Sequence, residues 1–512
     1  MVACLLATVV ASSFLLASLH ASEPAKPNIL LIMSDDHAAH AIGAYGGRLA
    51  SLNPTPTIDQ IAADGIRLKN CFCVNAICTP SRATIITGQY SHINGCKGFR
   101  EGLPPERQML PMEMKRLGYE TAIIGKWHLI DEPKPFDYYY VLPGQGSYFN
   151  PTFCVRGKQP WPNNTVHTGG YDCIHSSDAI TNASLQWLKN REAKDKPFFL
   201  MHHFKAPHDN FENAERYDWL YQDVDIPEPD TLWNRGEHGP QNHPQYGTSV
   251  GPRNSRRNMG DHMFVEKNLD SQMYTRTAYQ RYLKKYLRCV KGVDDNIARL
   301  INHLKSTGEY DNTIVIYTSD QGFMLGEHDY IDKRWMYEEA LRMPFIIRFP
   351  DKYQAGTTND DIINNTDFAP TILQLAGETN MPDSIQGRSF LPNLRGETPD
   401  DWRDATYYRY WLHMAHHDNP AHYGVRTKTH KLIFFYGLPC GTLGAVETPT
   451  EPYWELYDLV KDPFETRNVY GKKEYAQVQQ DLKAKLLELK AEFGDDDQQY
   501  PELMQVRERA WK

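Results

Sequence analysis

A chain of 512 residues, 41% hydrophobic and 12% aromatic, is long enough for an extensive packed core and too apolar for global disorder. Nine cysteines are too few to build a scaffold of this length from disulfides, and a formal net charge of −9 disfavours a general nucleic-acid coat. Met1 to Ala21 is apolar and small, without a carboxylate, lysine or arginine, and reads as a secretory signal ending near Ala21, so the mature protein is expected to be periplasmic or secreted. No later stretch approaches the roughly 18 continuous apolar residues needed to span a bilayer, and no membrane span is expected. Export would permit disulfides. Cys154 and Cys173 bracket a loop rich in Gly, Pro and Asn, and either a bridge or two free thiols fits that placement.

Next along the chain, Asn28-Ile29-Leu30-Leu31-Ile32-Met33 is a continuous apolar run between Pro27 and Asp35-Asp36, the pattern of a strand buried on both faces. Similar runs occupy residues 121–124, 197–201, 313–317 and 344–347. Val290, Val293, Ile297, Leu300, Ile301 and Leu304 share one face of a helix that stops at Gly308. Helices alternating with buried strands predict an α/β fold, a mainly parallel sheet sandwiched by helices. From Asp209 to Asp270 periodicity is lost and Pro, Gly, Asn and Arg accumulate, as in Gly251-Pro252-Arg253-Asn254-Ser255-Arg256-Arg257-Asn258, which reads as a functional loop or a disordered insertion. Beyond about Arg395, residues 406–411 and 431–436 have strand character, and Val478, Leu482, Leu486, Leu489 and Phe493 form a helical stripe closed by Gly494. The expected organisation is a signal over residues 1–21, a main unit over 22–395 and a smaller C-terminal α+β subdomain over 396–512. The acidic run Asp495-Asp496-Asp497 reads as a solvated tail.

The residues after each strand carry the chemistry. Asp35 and Asp36 follow the first, Lys126 and His128 the second, Lys205 and His208 the third, and Asp320 and Gln321 the fourth. In open parallel sheets, sites form outside the carboxyl ends of the strands. Asp35, Asp36, Asp320 and Gln321 offer hard oxygen donors that suit Ca²⁺ or Mg²⁺ better than zinc. Neighbouring aspartates at the end of a buried strand repel one another unless a cation or a shifted proton holds them. In Cys78-Thr79-Pro80-Ser81-Arg82, Pro80 suits the first turn of a helix running to Gly88, which puts Cys78 at its positive end. Read alone, the position fits an activated cysteine or a buried thiol. Lys205 and Arg334, taken singly, read as surface groups.

Cys78-x-Pro80-x-Arg82, continuing as Ala83-Thr84-Ile85-Ile86-Thr87-Gly88, resembles the signature of the type I, formylglycine-dependent sulfatases of the alkaline-phosphatase-like superfamily. The resemblance extends over most of the chain and in the family's order. It includes Asn28 to Asp36, Gly125-Lys126-Trp127-His128, Ser319-Asp320-Gln321-Gly322 with Gly326-Glu327-His328, and Leu456-Tyr457-Asp458-Leu459 with Asp462-Pro463. Bacterial enzymes acting on sulfated glycans, including N-acetylglucosamine-6-sulfatases, are the most similar branch.

The resemblance implies that a formylglycine-generating maturation enzyme oxidises Cys78, and that the product joins Asp35, Asp36, Asp320 and Gln321 around one divalent cation, usually calcium, with magnesium as the alternative. Gln321 stands where the family more often has Asn. Arg82 would hold the modified side chain, Lys126 and Lys333 the sulfate oxygens, and His128 and His208 match the family's two active-site histidines. The implied chemistry is attack of the hydrated aldehyde on a carbohydrate sulfate ester, with His208 protonating the leaving alcohol and His128 taking the proton whose loss expels sulfate. His413, His416, His417 and His422 cluster in the second unit, and His416 and His422 are expected to line the substrate cleft. Two alternatives remain open: phosphonate monoester or phosphodiester hydrolysis on the same fold, and a catalytically silent glycan-binding protein in which Cys78 stays a thiol.

Overall fold

Every residue of the strand Asn28–Asp35 is buried, because its two faces feed two separate core layers. Ile29, Leu31 and Met33 pack into one layer, Leu30 and Ile32 into the other. The computed structural model describes residues 26–157, 159–168, 173–191, 193–236 and 243–511, and the expected signal over residues 1–21 lies outside them. Its main sheet has ten strands: β1 (Asn28–Asp35), β2 (Ile66–Phe72), β3 (Glu120–Lys126), β4 (Tyr138–Leu142), β5 (Thr152–Val155), β6 (Thr165–His167), β7 (Phe198–Pro207), β8 (Thr313–Ser319), β11 (Phe345–Arg348) and β12 (Thr357–Asn364), with the short pair β9 (Met324–Leu325) and β10 (Ile331–Asp332) outside it. The order is β12-β2-β11-β8-β1-β7-β3-β4-β5-β6.

The central strands β8, β1, β7, β3 and β4 are parallel, so their carboxyl ends, carrying Asp320, Asp35, His208 and Lys126, open on one edge. Helix Ser271–Ser306 covers one face through Leu283, Leu287, Val290 and Ile297, and helices Cys78–Thr87 and Phe368–Leu375 cover the other through Ala83, Ile85, Ile86 and Ile372. The α/β fold with a mainly parallel, helix-sandwiched sheet is therefore present. Two strands depart from it: β5, antiparallel to β4 and β6 near one edge, and β11, expected from its apolar run, which lies antiparallel to both β8 and β2. The chain returns to β11 through the segment carrying β9 and β10, without the crossover helix that a parallel neighbour needs. β2 exposes Lys69 and β12 begins exposed at the sheet edge, so neither shows the continuous apolar run that revealed the others.

The second sheet is antiparallel, β13 (Ala405–Tyr410), β14 (His422–Thr427), β15 (His430–Phe435) and β16 (Tyr453–Asp458). Tyr407, Val425 and Phe434 pack under the helices Ala476–Glu492 and Pro501–Ala510, while Tyr408, Ile433 and Phe435 on the opposite face join the main core. The described part of the 209–270 loop is packed, with Leu232, Val250, Met259 and Met263 in the core, which excludes the disordered reading for it. All eight described cysteines are free thiols, Cys154 buried and Cys173 exposed, so no bridge joins them.

Asp495-Asp496-Asp497 is not a solvated tail. Asp495 and Asp497 are only 1% and 2% exposed. Asp495 accepts from Arg409 at 2.6 Å and Lys490 at 3.0 Å, and Asp497 from Arg507 at 2.9 Å. Charge density in the sequence concealed that cations from β13 and both helices converge on the turn. Burial acts to raise the Asp495 carboxyl, but Arg409 and Lys490 outweigh it and hold the group well below the usual carboxylate range. Its stabilisation is therefore present above the unfolded carboxylate pKa and lost as the pH falls through the lower folded value. Asp495→Ala leaves Arg409 and Lys490 buried without it and is expected to cost about 3–5 kcal/mol, read from the urea midpoint at neutral pH.

Candidate active site

Strand β1 ends on Asp35, and Asp36, at φ 68°, turns the chain off the sheet with its carboxylate still buried. Helix Cys78–Thr87 starts beside this turn and is buried along its whole length. Cys78 Sγ lies 3.5 Å from Asp35 Oδ1. One turn on, Arg82 reaches Asp35 Oδ2 at 2.8 Å through Nη2 and Asp320 Oδ2 at 3.1 Å through Nε. Lys126 Nζ stands 2.7 Å from Asp35 Oδ2, and Lys333 Nζ 2.6 Å from Asp36 Oδ2. Gln321 donates its amide N–H to Asp36, and Gln145 accepts from Lys126.

Asp35, Asp36 and Asp320 each place a carboxylate oxygen within 4.8 Å of the other two, all buried, and Cys78 Sγ and a His208 nitrogen form a similar group with Asp35. Gln321 Oε1 is buried with no hydrogen-bond partner among the described residues. Three carboxylates and an unspent amide oxygen are the donor chemistry of a hard divalent cation, so the residues present fit such an ion. The protonation pattern reflects the crowding. Burial pushes Asp36 up, and burial together with Asp35 pushes Asp320 up to about 7. Burial opposes but Lys126, His208 and Arg82 hold Asp35 well below the carboxylate range. Burial, then Asp35, drives the Cys78 thiol well above its ordinary value.

His208 closes one side. Its Nε2 lies 3.7 Å from Asp36 Oδ2 and 3.9 Å from Asp35 Oδ1, while Nδ1 is 2.7 Å from both the carbonyl oxygen and Oδ1 of Asp209. His128, at φ 56°, has a buried Nδ1 without a partner among the described residues, and burial, then Lys126, keeps its imidazole well below the ordinary range. The structure thus brings together Asp35, Asp36, Cys78, Arg82, Lys126, His128, His208, Asp320, Gln321 and Lys333.

It does not bring His422 there. That ring is fully buried in the second sheet, 5.6 Å from the Tyr408 ring and 4.7 Å from Phe435, with Nδ1 at 2.8 Å from the Pro420 carbonyl. It is a core histidine, because residue 422 opens β14 on the face that packs against the main unit. His413 is likewise internal, tied to Thr448 and Ala421. His416 is exposed and sits edge-on to Phe99 at 5.3 Å, whose ring also neighbours His128 at 6.0 Å, so it belongs to the rim.

Lys205 and Arg334 are not surface groups. Lys205 is buried over the Tyr148 ring, and burial, then Lys126, pushes its ammonium down to about 8. Arg334 is buried against Asp332 and over Phe99. Both lie where strands end inside the molecule, a placement that single-residue reasoning misses. Asp209 and Gln145 were also missed. Adjacency to His208 was an available signal for the first; nothing local marks the second, which reaches Lys126 from the loop after β4.

The sulfatase family profile matches residues 27–378, and the profile of the N-sulphoglucosamine sulphohydrolase C-terminal region matches residues 326–492. The N-acetylglucosamine-6-O-sulfatase of Bacteroides thetaiotaomicron is 39% identical over 518 aligned positions, covering 93% of this chain and 88% of the relative. The chain belongs to the sulfatase family. This sulfatase, a sulfuric ester hydrolase, superposes with a TM-score of 0.81 and 38% identity on a structure solved in complex with its substrate D-glucosamine-2-N,6-O-disulfate, covering 93% of this chain and 100% of the other. The phosphonate monoester hydrolase of Agrobacterium radiobacter shares the fold at a TM-score of 0.68 and 22% identity, covering 91% and 96%.

Proposed function

We propose that this sulfatase hydrolyses the 6-O-sulfate ester of a glucosamine unit in a sulfated glycan, using a formylglycine made from Cys78 and a divalent cation, calcium before magnesium. The observation that carries the chemistry is the buried cluster in which Cys78 Sγ, three carboxylates and three cationic side chains meet at one sheet edge. The sugar is supported by the 39%-identical N-acetylglucosamine-6-O-sulfatase and by the glucosamine disulfate bound to the similar solved structure. Export, read from residues 1–21, would bring the enzyme to such polymers.

Bound to the oxygens of Asp35, Asp36, Asp320 and Gln321, the cation would lower the pKa of the attacking hydroxyl and draw charge from the sulfate. The chain's own residues do the rest. Arg82 holds Asp35 and Asp320 in place and, with Lys126 and Lys333, balances the three carboxylates, so a dication leaves the site electropositive toward an anionic ester. Lys126 and Lys333 hold the sulfate oxygens. Asp209 fixes the His208 ring through Nδ1, which leaves Nε2 facing the site to protonate the departing sugar oxygen. His128 accepts the proton that must leave the nucleophile's second hydroxyl.

Peptide mass spectrometry tests the nucleophile. The Cys78-bearing peptide is expected to show thiol-to-aldehyde conversion in active protein; full activity with an intact thiol contradicts it, while an intact thiol with glycan binding and no turnover would point to the silent-protein reading. Dialysis against a chelator is expected to lower turnover at least about tenfold and to restore it with Ca²⁺. Undiminished activity in protein shown by elemental analysis to be metal-free would overturn the cation. Matched sulfate and phosphate esters separate this reading from a phosphonate or phosphodiester hydrolase, with sulfate turned over in preference.

A further inference from the structure

Beside Asp209, the partner of His208, the structure has a cavity of about 330 Å³ lined by Asp209, Thr248, Arg256, Arg257, His262 and His417 among others. Its volume lies within the range of small-molecule sites. It shares walls with the active site. Asp209 Oδ1 is 2.7 Å from His208 Nδ1, and His417 Nδ1 is 3.6 Å from Asp332 Oδ2, the residue before Lys333. With sulfate held by Lys126 and Lys333 and the leaving oxygen facing His208, a sugar extending past His208 and Asp209 would meet this cavity.

The charges in it do not balance. Arg256 Nη2 and Arg257 Nε approach the same oxygen, Asp418 Oδ2, at 3.4 and 3.2 Å. Neither guanidinium has another partner for its remaining N–H groups among the described residues, and the two side chains are 59% and 46% exposed. The other carboxylates are spent elsewhere, Asp209 on His208 and Asp261 on Lys267 and Tyr274. One positive charge therefore stands in excess of its local carboxylate. The backbone that carries the arginines is also held in place. Buried Asn254 accepts from the backbone N–H groups of Arg256 and Arg257 at 2.9 and 3.1 Å, and its own amide donates to the Gly247 carbonyl at 2.8 Å. A pair of forked donors on a braced backbone, with an unmatched charge, is suited to a sulfate, sulfamate or carboxylate.

We propose that Arg256 and Arg257 determine specificity by binding a second anionic substituent of the substrate in this cavity, so that multiply charged glycans are preferred over monosulfated sugar. The inference rests on the reading of the substrate as a sulfated glucosamine. The second anion is either the N-sulfate of the same ring or an acidic group on the neighbouring sugar.

The test compares wild type with the double variant Arg256→Ala/Arg257→Ala on glucosamine-6-O-sulfate, glucosamine-2-N,6-O-disulfate and a 6-O-sulfated glucosamine joined to a uronic acid. Loss of the paired charge-assisted bonds is expected to raise KM about tenfold for a doubly charged substrate, with kcat and the monosulfated KM changed by less than about twofold. An effect on the disulfated monosaccharide assigns the anion to the same ring; an effect confined to the uronate-bearing sugar assigns it to the neighbour. Equal losses on all three substrates, or no loss on any, overturn the proposal. Calorimetric binding of a heparin-derived disaccharide, with and without the two substitutions in a Cys78→Ala background, gives a readout independent of turnover. Wild type that turns over none of the sugars refutes the substrate reading, while unchanged heparin-disaccharide affinity in the arginine variant refutes the cavity assignment.

Discussion

Replacing Cys78 by alanine is expected to lower kcat on a 6-O-sulfated glucosamine by about four orders of magnitude or more, because in the proposed mechanism covalent attack on sulfur begins at this side chain. The neighbouring hydroxyls on the helix are committed, Thr79 to the His128 carbonyl and Ser81 to the Asp320 carbonyl while accepting from Asn365. Lys126, Lys333 and His208 would still bind sulfate, so the remaining turnover should reflect positioning alone. The substitution removes one sulfur atom from a fully buried position, and the variant should keep a cooperative unfolding transition within about 2 kcal/mol of wild type. Wild-type protein isolated with Cys78 still a thiol should be as inactive as the alanine variant. Activity of such a thiol form equal to that of converted protein would refute the nucleophile assignment.

The second large effect is at His208. His208→Ala is expected to lower kcat on the sugar sulfate by about 10²–10⁴-fold, the usual contribution of a positioned general acid. The size of the loss should depend on the leaving group. A sugar alkoxide needs a proton as the O–S bond breaks, whereas an acidic phenolate departs without one. With a nitrophenyl sulfate the same variant should lose only about tenfold or less. Asp209→Asn, which keeps the backbone carbonyl contact to Nδ1 but removes the carboxylate, should fall between wild type and His208→Ala on the sugar substrate. A His208→Ala defect of equal size on sugar and aryl sulfates would show that the ring only positions substrate.

The central strands were legible in the sequence because burial on both faces demands an unbroken apolar run, which residues 28–33 and 313–317 provide. The edge strands were not, since β12 begins Thr357-Thr358-Asn359-Asp360 in solvent and carries no such run. Direction was also hidden: the run at residues 344–347 says buried strand but not antiparallel, a property of the connection rather than of the strand. At the site, Asp35, Asp36, Asp320 and Gln321 could be grouped because each follows a parallel strand. Arg82, Lys126, Lys333, His128 and His208 acquired roles only through the family resemblance, and their distances now show how they meet. Charge alone is a poor guide to burial in this chain. Lys205, Arg334, Asp495 and Asp497 all looked like surface residues, and all are buried against opposite charge or an aromatic face. His422 failed for the complementary reason, because a histidine near other histidines resembles a site until the stack of Tyr408, Phe435 and Trp335 around it is seen.

The net charge of −9 and an anionic substrate are compatible once the acids are located. Asp35, Asp36 and Asp320 would face a cation in the proposed mechanism, and Asp495 and Asp497 are consumed by an internal ion cluster, which leaves Lys126 and Lys333 to meet the ester. The most direct test is inorganic sulfate release by protein whose Cys78 peptide has been shown by mass to be converted, across 6-O-, 3-O- and N-sulfated glucosamines and a 2-O-sulfated uronate. Release confined to sugars bearing the 6-O-sulfate is the expected result. Converted protein that leaves every 6-O-sulfate intact while freeing sulfate from another position would contradict it.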